Sequence, residues 1–110
     1  MTADVQLLLC TCPDQATAGS LAEGLVGTGL AACVNILPEI RSIYRWENEV
    51  QQDSEVLMVI KTSRSAYPGL ENWLMDHHPY DVPEVLALPI ENGAGQYLDW
   101  VDRETTQPGG

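Results

Sequence analysis

"LAACVNILPEIRSIYRWENEVQQDSEVLMVIKT" occupies residues 30–62. β-branched and aromatic residues recur along it, and Ser42, Tyr44 and Trp46 alternate with Ile43 and Arg45, which is the two-residue period of a strand. Only "ENE" (47–49) offers a turn, so the stretch reads as one long hairpin. Pro38 cannot donate a ladder hydrogen bond and marks an edge or a bulge. Arms of about fourteen residues reach about 46 Å, whereas a helix of the same length covers only about 21 Å. The helices of so short a chain cannot cover such a hairpin. Its tip would leave Ile43, Tyr44 and Trp46 in water as one patch, and the simplest cover is another copy of the same chain.

The flanking segments complete the pattern. "VQLLLCT" (5–11), bounded by Pro13, reads as a buried strand. Pro13-Asp14 opens a helix to about Thr28, with Ala18, Leu21, Ala22, Leu25 and Val26 on one face. Interior glycines weaken it, and Gly29 is placed at its end. A second helix starts at Ser63 or Ser65 and accepts Pro68 in its first turn. Leu70, Trp73, Leu74 and His77 share a face, and Pro79 stops the helix. "PEVLALPI" (83–90) is a last core strand, and "GQYLDWVD" (95–102) a short final helix. The order β-α-β-β-α-β plus a small helix is the α+β, ferredoxin-like split βαβ arrangement: a four-stranded antiparallel sheet with both main helices on one face. One domain over 1–104 and a loose polar tail over 105–110 are expected.

Composition narrows the function. The chain has 110 residues, 45% apolar, with only five Lys and Arg and a formal net charge of −11. Nucleic-acid binding is not expected, because phosphates need a basic surface. No segment approaches the ~20 apolar residues of a membrane span. Met1-Thr2-Ala3-Asp4 puts no basic segment ahead of the first apolar run, so no signal peptide is expected. Three cysteines cannot all pair within the chain, and free thiols in a reducing cytoplasm are the expectation.

The topology predicts which ends meet. Residues 10–14, 77–80 and 82–85 should gather at one end of the sheet, bringing "CTC" (10–12) near "HHPY" (77–80). Thiolate and imidazole together favour copper or zinc. The spacing alone does not decide the matter. "CTC" is not a CxxC pair, and adjacent helical histidines point about 100° apart, so both reach one ion only if the helix unwinds at Pro79. Cys10 also reads simply as a core side chain, and Cys33 as structural. Cys12, next to Pro13, is the thiol with room to be exposed. His77 continues the apolar face as a core histidine, and His78 is expected to face outward. A catalytic Cys–His pair lacks a third orienting group and an oxyanion-hole signature, and no glycine-rich phosphate loop is present. An enzyme is therefore not expected.

"CTCPD" (10–14), the hairpin segment 30–50, "SEVLMVIKT" (54–62), "HHPYDVPEVLALPI" (77–90) and "YLDW" (97–100) together resemble the CutA family of divalent-cation tolerance proteins. The resemblance runs from about residue 5 to 103. It implies a homotrimer joined through the long hairpins. It also implies a site for Cu(II) or another divalent ion at Cys10, His77 and His78. Cys12 stands where some members of that family have alanine, and could replace or join Cys10. Glu84 is a weaker candidate ligand. The trimeric PII signalling proteins share a similar fold and bind small molecules between subunits. The alternative is thus a PII-like sensor whose cleft uses Arg41, Arg45, Lys61 or Arg64.

Overall fold

The computed structural model describes residues 4–105. Its elements are β1 (Val5–Cys12), α1 (Gln15–Gly27), β2 (Cys33–Trp46), β3 (Glu49–Ser63), α2 (Tyr67–His77), β4 (Leu86–Pro89) and α3 (Gly95–Thr105). The four strands form one sheet in the order β2-β3-β1-β4. Every neighbouring pair is antiparallel, so the expected ferredoxin-like α+β topology is the one observed. No described helix is long and apolar enough to cross a membrane.

The register divides the side chains between two faces. On one face Leu8, Cys10 and Cys12 of β1 stand beside Val56, Met58 and Ile60 of β3. They pack with Ala18, Leu21 and Leu25 of α1 and with Leu70 and Leu74 of α2. All twelve residues of this core are buried, Ala31 included. The other face carries Leu7 and Leu9, paired with Leu88 and Leu86, and Leu57, paired with Leu37. Here α3 covers one end only, where Leu98 and Val101 pack on Val5 and Ala32. Leu37, Leu86 and Leu88 remain exposed.

Local chemistry sets the boundaries. Asp14 caps α1 by accepting the Thr17 N–H at 2.7 Å, and Gly29 ends the helix region at φ 77°, a conformation that costs glycine nothing. The hairpin turns through Glu47 and Asn48, at φ 50° and 66°, the left-handed pair a tight two-residue turn requires. The register shifts between Leu37 and Ile40, so Pro38 lies in the bulge its missing N–H calls for. The hairpin gives the fold its length: the molecule measures 47 × 26 × 23 Å. At the tip Trp46 is 53% and Val50 73% exposed.

Four boundaries differ from expectation. β2 begins at Cys33, leaving residues 30–32 outside the hairpin strands. β3 runs on to Ser63, paired with Val5, so α2 begins at Tyr67 rather than at Ser63 or Ser65. Ser63 instead accepts the Ala66 N–H through its Oγ at 3.3 Å. β4 pairs with β1 only as far as Leu9, leaving residues 83–85 outside the strand. α3 extends to Thr105, whose buried Oγ1 donates to the Val101 carbonyl at 2.8 Å and lies 2.7 Å from Ser63 Oγ, a hydroxyl that can donate to it. Thr105 therefore belongs to the helix, and the remainder of the expected tail, 106–110, lies outside the described residues.

Two glycines of α1 should respond oppositely to alanine. A Cβ on Gly19 meets nothing within 4 Å, so Gly19→Ala should raise unfolding stability by roughly 0.5–1 kcal/mol through helix propensity. A Cβ on Gly24 would lie 2.5 Å from the Trp73 ring, and Gly24→Ala should lower stability by about 1–3 kcal/mol. Denaturant melts of the two variants against the parent check both signs.

Candidate metal centre

The two halves of the expected site do meet. β1 carries Cys10 and Cys12 on its helix-covered face, both fully buried. Pro79 ends α2, and His78 leaves the helix in an extended conformation, φ −74° and ψ 139°. Pre-proline residues are pushed to that region. The turn swings the His78 ring inward, where it is 8% exposed. Its Nε2 lies 2.8 Å from the Thr11 carbonyl and 3.9 Å from Cys12 Sγ. The Sγ atoms of Cys10 and Cys12 and a ring nitrogen of His78 all fall within 4.8 Å of one another. Among the described residues this is the one group of three Cys, His, Asp or Glu side chains close enough to share an ion.

The histidines have exchanged the roles the sequence suggested. His77, expected in the core, is exposed. Its ring stacks on Trp73 with centroids 4.0 Å apart, and its Nδ1 sits 2.7 Å from the Trp73 carbonyl. His78, expected outside, is the buried one. Helical periodicity was carried one residue too far, because Pro79 had already taken His78 out of the helix. Cys12 is likewise buried rather than exposed. The exposed Glu84 is not part of the three-donor group. Its charge, like that of Glu55, nonetheless raises the Cys10 thiol pKa.

The hydrogen bonds define the resting protonation. The Tyr80 backbone N–H donates to His78 Nδ1 at 3.1 Å, so Nδ1 must be the unprotonated nitrogen. Nε2 then carries the proton and donates it to the Thr11 carbonyl, which can only accept. The two thiols interact unequally. A hydrogen bond between them, then burial, pushes Cys10 well above the usual thiol range. The same bond lowers Cys12.

These donors fit a thiophilic ion, since thiolate and imidazole suit copper and zinc. They would hold it at Cys10 and Cys12, with His78 joining through Nε2 once its proton has moved to Nδ1. Thr11 and Tyr80 were not anticipated from sequence. Backbone groups leave no trace in side-chain chemistry, and only the "Y" of "HHPY" hinted at the second.

Beside the centre lies a groove of about 780 Å³ between the hairpin and residues 79–84. Tyr44, Trp46, Asp53, Glu55, Tyr80 and Glu84 line it. Tyr80 donates from its hydroxyl to Glu55 at 2.8 Å, and Tyr44 to Asp53. None of Arg41, Arg45, Lys61 and Arg64 lines it. Lys61 bonds to Asn35, and Arg64 pairs with Asp4 at 3.7 Å. Within one chain the groove is thus acidic, unlike the cationic cleft considered for an anionic metabolite.

A family model described as "CutA1 divalent ion tolerance protein" matches residues 6–104. The chain belongs to the CutA1 family. It is 48% identical to the divalent-cation tolerance protein CutA of Thermus thermophilus over 101 residues, 92% of this chain and 97% of that protein. It is 46% identical to the mouse protein CutA, again over 92% of this chain but only 57% of the relative. The chain thus spans little more than half the length of that animal relative. The crystal structure of CutA1 from Oryza sativa superposes with a TM-score of 0.92 at 41% identity, covering 97% of this chain and 98% of that one.

The imidazole of His78 should therefore be neutral with its proton on Nε2. Long-range proton–nitrogen NMR correlations on the reduced, metal-free protein check this. The expected pattern for His78 is a pyridine-like Nδ1 and a pyrrole-like Nε2.

Proposed function

We propose that this protein acts in cation tolerance as a cytoplasmic homotrimer that binds copper or a similar divalent ion. Its own ligands are Cys10, Cys12 and His78. The observation that carries the reading is the buried convergence of two thiols and an imidazole from segments 66 residues apart. Buried polar groups brought together with such soft donors suit a metal better than they suit a core. The names of the relatives supply the tolerance role. Binding would release thiol protons and break the bond between His78 and Thr11.

The trimer rests on separate support. Ile43, Tyr44, Trp46 and Val50 are exposed along the hairpin, and Leu37, Leu86 and Leu88 on the open sheet face. Apolar side chains grouped along one hairpin and one sheet face are what marks an interaction surface. A second copy would cover them, and three copies is the number the family resemblance implies. A membrane role is not proposed.

Calorimetric titration of copper into the reduced protein should give one site per chain. The double variant Cys10→Ser, His78→Ala should lose that site, while His77→Ala keeps it. Equal affinity in the parent and the double variant would refute the assignment. Sedimentation equilibrium should return the mass of three chains, and Trp46→Asp should shift the protein toward smaller species.

A further inference from the structure

Beside the thiol centre, the acidic groove is built to a different plan. Two carboxylates stand on each side: Asp53 and Glu55 on the hairpin, Asp81 and Glu84 on the segment after α2. No Lys, Arg or His is among the lining residues. Yet among the described residues these carboxylates form no group of three close enough to share one small ion. Tyr44 and Tyr80 each donate to one oxygen of Asp53 and Glu55, and the second oxygen of each has no partner among the described residues. Thr11 is an independent sign of a ligand. The register sets it beside Leu57 on the open sheet face, and it lines the groove. It is 8% exposed, and its hydroxyl has no hydrogen-bond partner among the described residues. A hydroxyl so nearly buried is normally satisfied, so it calls for a partner that enters the groove.

The volume of about 780 Å³ far exceeds an inorganic ion and lies in the range of pockets that hold organic molecules. Tyr44, Trp46 and Tyr80 line it, and aromatic rings attract cations over their faces, Trp most strongly. From charge, size and aromatic lining together, we infer that this groove binds an aliphatic amine with two or more ammonium groups. One ammonium pairs with Asp53 and Glu55, the second with Asp81 and Glu84. The methylene chain between them lies against Trp46 and Val82, and the Thr11 hydroxyl accepts from an ammonium. A monoamine answers only one side and leaves the other pair of carboxylates without a counter-charge. Mg²⁺ has the charge of a diamine but is a single point that holds its water tightly, so it neither reaches both sides nor uses the rings. The inference stands apart from the metal centre, because none of Cys10, Cys12 and His78 lines the groove.

Calorimetric titration of the full chain, in the assembly it adopts, is run with 1,4-diaminobutane, n-butylamine and Mg²⁺ at one low ionic strength. The expected result is one diamine per chain, bound at least about tenfold more tightly than the monoamine or Mg²⁺ and weakened by added salt. The double variant Asp53→Asn, Glu84→Gln removes a charge from each side at nearly constant size, and should weaken diamine binding by about tenfold or more. Trp46→Ala should weaken it by roughly 2–30-fold, the worth of one contact between an ammonium and a ring. The carboxamide variant keeps the apolar hairpin tip, so it decides the matter if Trp46→Ala alters assembly. Diamine binding no tighter than that of Mg²⁺, or unchanged in the carboxamide variant, would mean that the net charge of −11 gathers cations without a site, and would overturn the inference. So would a diamine that does not bind. Neither result bears on copper binding at Cys10, Cys12 and His78.

Discussion

Pro79 decides the geometry of the site. Proline crowds the residue before it out of the helical region, and His78 accordingly leaves α2 extended. That single change of ψ turns an imidazole that would have faced solvent into the wall of β1. There it finds the Thr11 carbonyl and the Cys12 sulfur. His77, one residue earlier, is still helical and goes the other way, onto Trp73. Two neighbouring histidines thus reach opposite environments through one backbone constraint.

The same turn ties the buried cluster to the surface. Tyr80 follows His78 by two residues and holds it from the backbone, through its N–H on Nδ1. Its side chain reaches outward to Glu55 on the hairpin, where burial and then that carboxylate keep the phenol protonated. A change in which nitrogen of His78 carries the proton must therefore be felt by Tyr80. Tyr80 in turn lines the acidic groove together with Tyr44 and Trp46. Centre and groove are neighbours through two hydrogen bonds, not merely through proximity.

Much of the fold was legible in the sequence because it rests on repeating patterns. Alternation along 30–62 marks the hairpin whatever its surroundings, and the helical faces of Leu21 and Leu25, or Leu70 and Leu74, appear as spacing. The meeting of "CTC" with "HHPY" followed from the topology. What was not legible depended on single backbone events. The exposure of His77 and burial of His78 required reading Pro79 as a constraint on its predecessor, not only as a helix stop. The length of α3 depended on Thr105 finding Ser63, 42 residues away, which no local window contains. Thr11 enters the site through a carbonyl, and every residue has one.

Assembly and metal binding are also more separable than the sequence suggests. A hairpin too long for its own domain argues for partners, and it is tempting to make the site depend on them. Yet Cys10, Cys12 and His78 all belong to one chain and are already buried within it. No ligand has to come from a neighbour. What a neighbour would touch is the groove and the hairpin tip, where Trp46 and Val50 lie open. The link between the two runs through Tyr80 and Glu55. An isolated chain should therefore still present the donors, whereas the assembled one would constrain how far residues 79–84 can move when His78 releases Thr11. Packing at the tip would in that case act on the groove, while the geometry of the centre is set by three side chains of one chain and one proline.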